Sequence, residues 1–355
     1  MSGLEVRRVR RGNRRVRLLA PLAIAAVAVA TVIAVPASAL AQAPAEHAGL
    51  AASSSTAPGY LIMDTTGLSP LQVRNVKTGA LTGLVTLPAE PGAKGLSGRA
   101  YVTAVATGNG RSYVASAYRP SPCRSWLYQF QLNSKGKPSA VTAFRALPTI
   151  GAELYSLTVS ANGKMLGYAA GGCVGAPKPP AYVAVTNIAT KHTTQWPVGA
   201  AGGGTVSLTA TGSQLCYVTG ESTSEIRIIP TSATPGPAAE RSRVVAQPAQ
   251  FGPDTWIPYA VISPGGQDVY FTTYTPAPGI QQAGQVRVLD LAASQTRVLH
   301  SPAGEPAYPQ ADPGVDHLLL QIQAANFRSS WLVNLDLATG KITKLPSGMG
   351  DVLSW

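Results

Sequence analysis

Charge is scarce in this sequence, and so is any sign of long helices. Asp, Glu, Lys and Arg make up 12% of its 355 residues. No stretch carries the three-to-four-residue apolar spacing of a long amphipathic helix, which leaves strands as the main elements. Recognisable catalytic machinery is also missing. There is no Gly-x-Ser-x-Gly elbow, no His-Glu-x-x-His and no EF-hand-like run of alternating aspartates, and Gly202-Gly203-Gly204-Thr205 lacks the lysine of a phosphate-binding loop. The four histidines, His47, His192, His300 and His317, are widely spaced, and exposed or hydrogen-bonded histidines are expected rather than a metal-ligand set. The first cysteine is Cys123, far from any cleavage point, so a lipid-modified N-terminal cysteine is not expected.

What is present points to strands. Gly and Pro number 36 and 29, and Val, Thr, Ser and Tyr recur in short runs that suit half-buried strands. The net charge of +12 is unevenly placed. Arg7, Arg8, Arg10, Arg11, Arg14, Arg15 and Arg17 set against Glu5 account for +6, which leaves +6 for all the rest. Those later cations are dispersed, the densest pairs being Lys135/Lys137 and Arg241/Arg243. Phosphate recognition needs a clustered stripe, so a solvated surface is expected and no nucleic-acid partner.

An uncharged run from Leu18 to Ala45 follows the arginines, with an apolar heart from Leu18 to Val35. Small residues alternate at Ala37-Ser38-Ala39 and Ala39-Leu40-Ala41, which fits signal-peptidase cleavage after Ala39 or Ala41. An uncleaved transmembrane anchor is the alternative. Either one places the remainder of the chain outside the cytoplasm. Asn13-Arg14-Arg15-Val16-Arg17 resembles a twin-arginine signal, with Arg17 where that motif has an apolar residue. Residues 1–41 are therefore expected to be the targeting segment, 42–58 a flexible linker rich in Ala, Ser and Pro, and 59–355 the folded domain.

Within the folded part a unit of about fifty residues repeats. Short Gly or Asn turns fall at Gly108-Asn109-Gly110, Ala161-Asn162-Gly163, Gly212-Ser213, Pro264-Gly265-Gly266 and Pro313-Gly314. Each is flanked by apolar strands, as in Tyr101–Val105 and Ser112–Ser116, and third and fourth strands come after, as in Val286–Leu291 and Thr296–Leu299. Four antiparallel strands per unit make a propeller blade. The ends of the chain extend the pattern. Tyr60–Asp64, Leu71–Asn75 and Leu81–Leu87 are only three strands, and Asp351–Trp355 is a single strand. Three plus one predicts a sixth blade closed by the C-terminal strand, beside five whole ones near 101–147, 154–196, 205–246, 258–300 and 306–346. The fold class is thus all-β, a six-bladed propeller.

The segment Ile262-Ser263-Pro264-Gly265-Gly266-Gln267-Asp268-Val269-Tyr270-Phe271 resembles the WD40-like repeat of TolB-type propellers. The resemblance covers 60–355 as a pattern and is close in letters only in this blade. It implies the fold and, by analogy, an accessory place in an envelope assembly.

Cys123 and Cys173 occupy matching positions in adjacent blades, between second and third strands. Outside the cytoplasm they are expected to form a disulfide, worth about 3–4 kcal/mol for a fifty-residue loop. Cys216, between Leu215 and Tyr217, reads as a buried apolar residue. Propellers bind ligands at a channel mouth where loops enter the innermost strands. Here those loops contain Glu153, Asp254, Trp256, Glu305 and Asp351, a candidate acidic rim with one aromatic. The expected function is an exported, secreted or surface-held scaffold that binds protein, peptide or envelope glycan as a monomer, with no cofactor, no metal and no catalytic residue. Membrane contact is expected only through residues 18–40. A hydrolase or lyase using the mouth is the alternative.

Overall fold

The structure, a computed structural model, describes residues 59–64, 70–87, 101–119, 121, 123–173, 180–199, 203–220, 224–277, 280–301, 305–311, 316–323, 330–347 and 351–354. The targeting and linker expectations for 1–58 lie outside them, as does Trp355. Ala52–Trp355 form one compact unit. Among the described residues no helix is long and apolar enough to cross a membrane.

Six antiparallel sheets make up the ring. Blade 1 contributes β1 (Tyr60–Asp64), β2 (Leu71–Asn75) and β3 (Leu81–Val85). Blade 2 holds β4 (Tyr101–Ala106), β5 (Ser112–Arg119), β6 (Arg124–Gln131), β7 (Thr142–Ala143) and β8 (Thr149–Ile150). Blade 3 holds β9 (Glu153–Val159), β10 (Met165–Gly171), β11 (Ala181–Asn187) and β12 (Thr193–Gly199). Blade 4 holds β13 (Gly203–Leu208), β14 (Gln214–Thr219), β15 (Ile226–Pro230) and β16 (Arg243–Ala246), with the short helix α1 (Ala238–Arg241) before its last strand. Blade 5 holds β17 (Ala260–Ile262), β18 (Asp268–Ala277), β19 (Ile280–Asp290) and β20 (Gln295–His300). Blade 6 holds β21 (Glu305–Ala311), β22 (His317–Gln323), β23 (Ser330–Asp336) and β24 (Ile342–Lys344). The last strand, β25 (Asp351–Ser354), joins blade 1 in the order β25-β1-β2-β3. Its pairing, Ile62↔Ser354, Met63↔Val352 and Asp64↔Asp351, is the closure expected from the two ends of the chain.

The innermost strands neighbour one another in the order β25, β4, β9, β13, β17, β21. Between successive blades the strand alternation of period two sends one face of each sheet toward each neighbour. On β14, Leu215 and Tyr217 face blade 3, whereas Cys216 and Val218 face blade 5. Each of the six blade junctions, including the seam where Leu61 and Met63 meet Leu319 and Leu332, has its own buried apolar cluster. Each buried Val, Leu, Ile or Phe side chain among them contributes about 1.5–3 kcal/mol by leaving water.

An innermost strand has a free edge, and hydroxyl groups of the preceding blade cover it. Ala106 N–H donates to Ser354 Oγ (2.7 Å), Val206 N–H to Ser156 Oγ (3.1 Å), Ala260 N–H to Thr205 Oγ1 (3.1 Å) and Ile262 N–H to Ser207 Oγ (2.9 Å). Left unmet when buried, each donor would cost about 1–3 kcal/mol.

Two faces result from this strand order. At the entry face the innermost strands begin and the second-to-third-strand connections lie. At the turn face, the hairpin turn after the innermost strand abuts the turn after the third strand in blades 2–6, and in blade 1 Gly59, just before β1, takes that place. One hydrogen bond recurs there in every blade: Val76 N–H to Gly59 O, Leu132 to Arg111, Ile188 to Lys164, Thr231 to Ser213, Leu291 to Gln267 and Leu337 to Asp316.

Blade outlines depart from the four-strand expectation in three places. Blade 2 ends in a two-residue β7, and β8 pairs separately with β6, because the loop 133–138 is diverted over blade 1. Tyr60 Oη donates to Ser134 O and Thr82 Oγ1 to Gly136 O across that junction. In blade 4, residues 231–242 fold back onto blade 3, where Trp196 Nε1 donates to Thr234 O (3.2 Å) and Ala238 joins the buried cluster. In blade 5 the third strand begins at Ile280 rather than Val286, so β18 and β19 form a hairpin that runs to Ala277↔Ile280.

Candidate functional site

The entry face carries the residues singled out from sequence, spread over four blades. Glu153 is the first residue of β9 and pairs with Gly171. Glu305, the first residue of β21, pairs with Gln323, the equivalent place in blade 6. Asp351 opens β25 opposite Asp64. All three therefore begin strands rather than ending loops. The side chains of Glu305 and Asp351 lie outside the described part. Asp254 is exposed in the loop before β17 and adopts φ +57°. Trp256 is half-buried and exchanges both backbone hydrogen bonds with Tyr274 (3.0 Å each), with ring centroids 5.0 Å apart. Thr255 and Thr275 hydroxyls meet beside it at 3.0 Å.

Glu153 has the most developed surroundings. The buried Ser125, on β6 of the preceding blade, donates from Oγ to Ala152 O (2.8 Å) and accepts from Leu154 N–H (3.1 Å). This clamp grips the backbone on both sides of Glu153 and fixes where its side chain starts. Burial raises the carboxyl pKa, and a hydrogen bond from Tyr118 partly offsets that. Tyr155, two residues on, is exposed and donates from Oη to Gly172 O (3.3 Å). Its own pKa is raised by burial and by the nearby Glu153 charge. Arg119 adds a cation over the Trp126 ring at 5.6 Å from the centroid.

The two cysteines brace the same spot. Cys123 and Cys173 are bonded across blades 2 and 3, with Cα atoms 5.6 Å apart and 50 residues between them in sequence. Cys173 lies two residues beyond Gly171, the pairing partner of Glu153. The bridge thus ties together the two connections flanking the carboxylate. Cys216 is buried and unbonded to another cysteine, and burial pushes its thiol up to about 12, as suits an unreactive core residue.

Chemically this corner offers a carboxyl group held partly out of water, phenolic groups beside it, and, two blades away, a half-buried Trp256 packed on the buried Tyr274. Such groups accept hydrogen bonds and stack on planar or apolar surfaces of a ligand. Ser125, Tyr118 and Tyr155 are not legible as site residues. Within Arg124-Ser125-Trp126 the serine is simply a strand position, and nothing local says that it reaches into the next blade.

The class is set by six antiparallel sheets, the first completed by the last strand: this is a six-bladed β-propeller with the TolB-type fold. Among solved structures, TolB from Acinetobacter baumannii is similar at a TM-score of 0.55 and 13% identity, over 83% of this chain and 65% of that one. A TolB-type protein from Agrobacterium tumefaciens gives 0.49 and 12%, over 72% and 85%. The tricorn protease gives 0.49 and 11%, over 81% and 29%. The chain thus spans 65% of the Acinetobacter TolB's length, and at such identities the likeness is one of fold. No protein-family model and no curated protein matches the sequence.

Proposed function

We propose that the protein is an extracytoplasmic, non-catalytic binding scaffold that takes a protein, peptide or envelope-glycan ligand at the entry face beside Glu153. The observation that carries this reading is the Ser125 clamp and the Cys123–Cys173 bridge converging on one partly buried carboxyl group. A site fixed from two blades loses little entropy when a ligand arrives. The disulfide also supports folding outside the reducing cytoplasm, with residues 18–40 as the export signal or surface tether.

The test is photo-crosslinking on the cell surface with a reactive residue in place of Tyr155. A single partner captured there, lost in Glu153→Ala and retained when Lys341 is altered instead, is the expected result. Capture indifferent to Glu153 would remove the site.

The upward shift of the Glu153 pKa by burial favours one second reading, an extracytoplasmic hydrolase or lyase, because burial moves a carboxyl group in the direction that general-acid catalysis uses. Turnover of an envelope glycan or peptide that disappears in Glu153→Gln would establish it over the scaffold. The accessory role in an envelope assembly rests on the TolB-type fold and would show as co-purification with other envelope proteins.

A further inference from the structure

The two arcs of the ring differ in charge. Residues 59–199 together with 351–354, which span blades 1–3, hold 13 Lys and Arg against 4 Asp and Glu, a net of +9, whereas residues 200–350 hold 8 against 10, a net of −2. The cations look dispersed along the chain because they come one or two per turn. The propeller brings equivalent turns to one face, and on blades 1–3 that face presents Lys77, Arg111, Lys135, Lys137, Lys164 and Lys191, all exposed. The turns that carry them, 76–80, 107–111, 132–138, 160–164 and 188–192, contain no Asp or Glu. On the opposite arc the same face bears Asp268, Asp290, Asp316 and Asp336, with Lys341 in the turn beside Asp336.

A second observation concerns where the chain enters. Tyr60 pairs with Asn75, and Val76 N–H donates to Gly59 O (3.0 Å). The polypeptide preceding the ring therefore joins it on the turn face, in the basic arc and next to Lys77. That preceding sequence contains the uncharged run from Leu18 to Ala45.

We propose that the turn face of blades 1–3 docks on an anionic lipid bilayer. The basic arc lies toward the headgroups, the acidic arc is tilted away, and the entry mouth with Glu153 points outward. Lipid phosphates complement the six cations. Each Lys or Arg near such a surface strengthens binding by about fivefold, an attraction that falls off within a Debye length and so weakens with salt.

The full chain is mixed with vesicles of phosphatidylglycerol and phosphatidylcholine, or of phosphatidylcholine alone, and lysines are acetylated and read by mass spectrometry. Lys77, Lys135, Lys137, Lys164 and Lys191 should be protected on the anionic vesicles only, Lys341 of the acidic arc should stay reactive, and high salt should erase the protection. Replacing Lys135, Lys137 and Lys164 by Gln should weaken the apparent affinity of this face by about a hundredfold. The wild-type salt response reads the same interaction without any variant. Equal protection on neutral vesicles, or of Lys341 alongside the others, overturns the proposal. So does protection that duplex DNA or polyphosphate produces and anionic vesicles do not, which would assign the face to a soluble polyanion.

Discussion

Glu153 illustrates how a single residue can weaken the fold while shaping a site. Burial favours its neutral form, so its folded pKa lies above the unfolded value and the hydrogen bond from Tyr118 only reduces the gap. Below the ordinary glutamate range both states are protonated and nothing is lost, but as pH rises through that range to the folded pKa the unfolded state ionises first and stability falls. Glu153→Gln should therefore melt higher than the wild type at neutral pH. The difference should vanish at pH below about 4, as scanning calorimetry at the two pH values would show. Lys191 is a second costly residue. It sits at φ +60° where the equivalent turns of blades 1 and 6 have Gly79 and Gly340, so Lys191→Gly should stabilise the protein by about 0.5–1 kcal/mol in urea unfolding.

At the scale of elements, the third-to-fourth-strand turns show why the repeat can be read at all. Asn75 Oδ1 accepts from Lys77 and Thr78 N–H, Asn187 Oδ1 from Ala189 and Thr190, and Asp290 Oδ1 from Ala292 and Ala293. This side-chain mimicry of a turn is local chemistry, visible in Asn75-Val76-Lys77-Thr78-Gly79 without any knowledge of the fold. The start of β19 is the contrary case. Ile280-Gln281-Gln282-Ala283-Gly284-Gln285 has no apolar alternation, and it is strand because β18 holds it through a ladder that runs, past one bulge, to Ala277↔Ile280. Likewise Trp196 reads as an ordinary buried residue, while the segment that covers it arrives from the next blade. The disulfide lies between these extremes, since matching positions in adjacent repeats suggest the pairing that the structure contains. Cys123→Ser with Cys173→Ser should lower stability by about 3–4 kcal/mol and loosen the Glu153 corner. Alkylation of the native wild type should leave all three cysteines unmodified, Cys216 because its thiol is buried.

For the molecule as a whole, ring closure decides stability. Removing residues 351–355 would strip blade 1 of its innermost strand and Ala106 N–H of its Ser354 partner. It would also weaken the seam formed by Leu61, Met63, Leu319 and Leu332. The truncated chain should aggregate or lose its cooperative transition in thermal unfolding. An unchanged melting curve would show that the seam holds without the strand. By itself the sequence determined the number of blades and the turns between strands, because strand alternation and turn chemistry act between residues close in the chain, and counting three strands at one end and one at the other then paired the first strand with the last. Only the tertiary structure decided which side chains share a site or a face. Ser125 reaches the backbone on either side of Glu153 across a blade junction, and cations from five separate turns come to one side, because closing the ring juxtaposes equivalent positions that lie tens of residues apart.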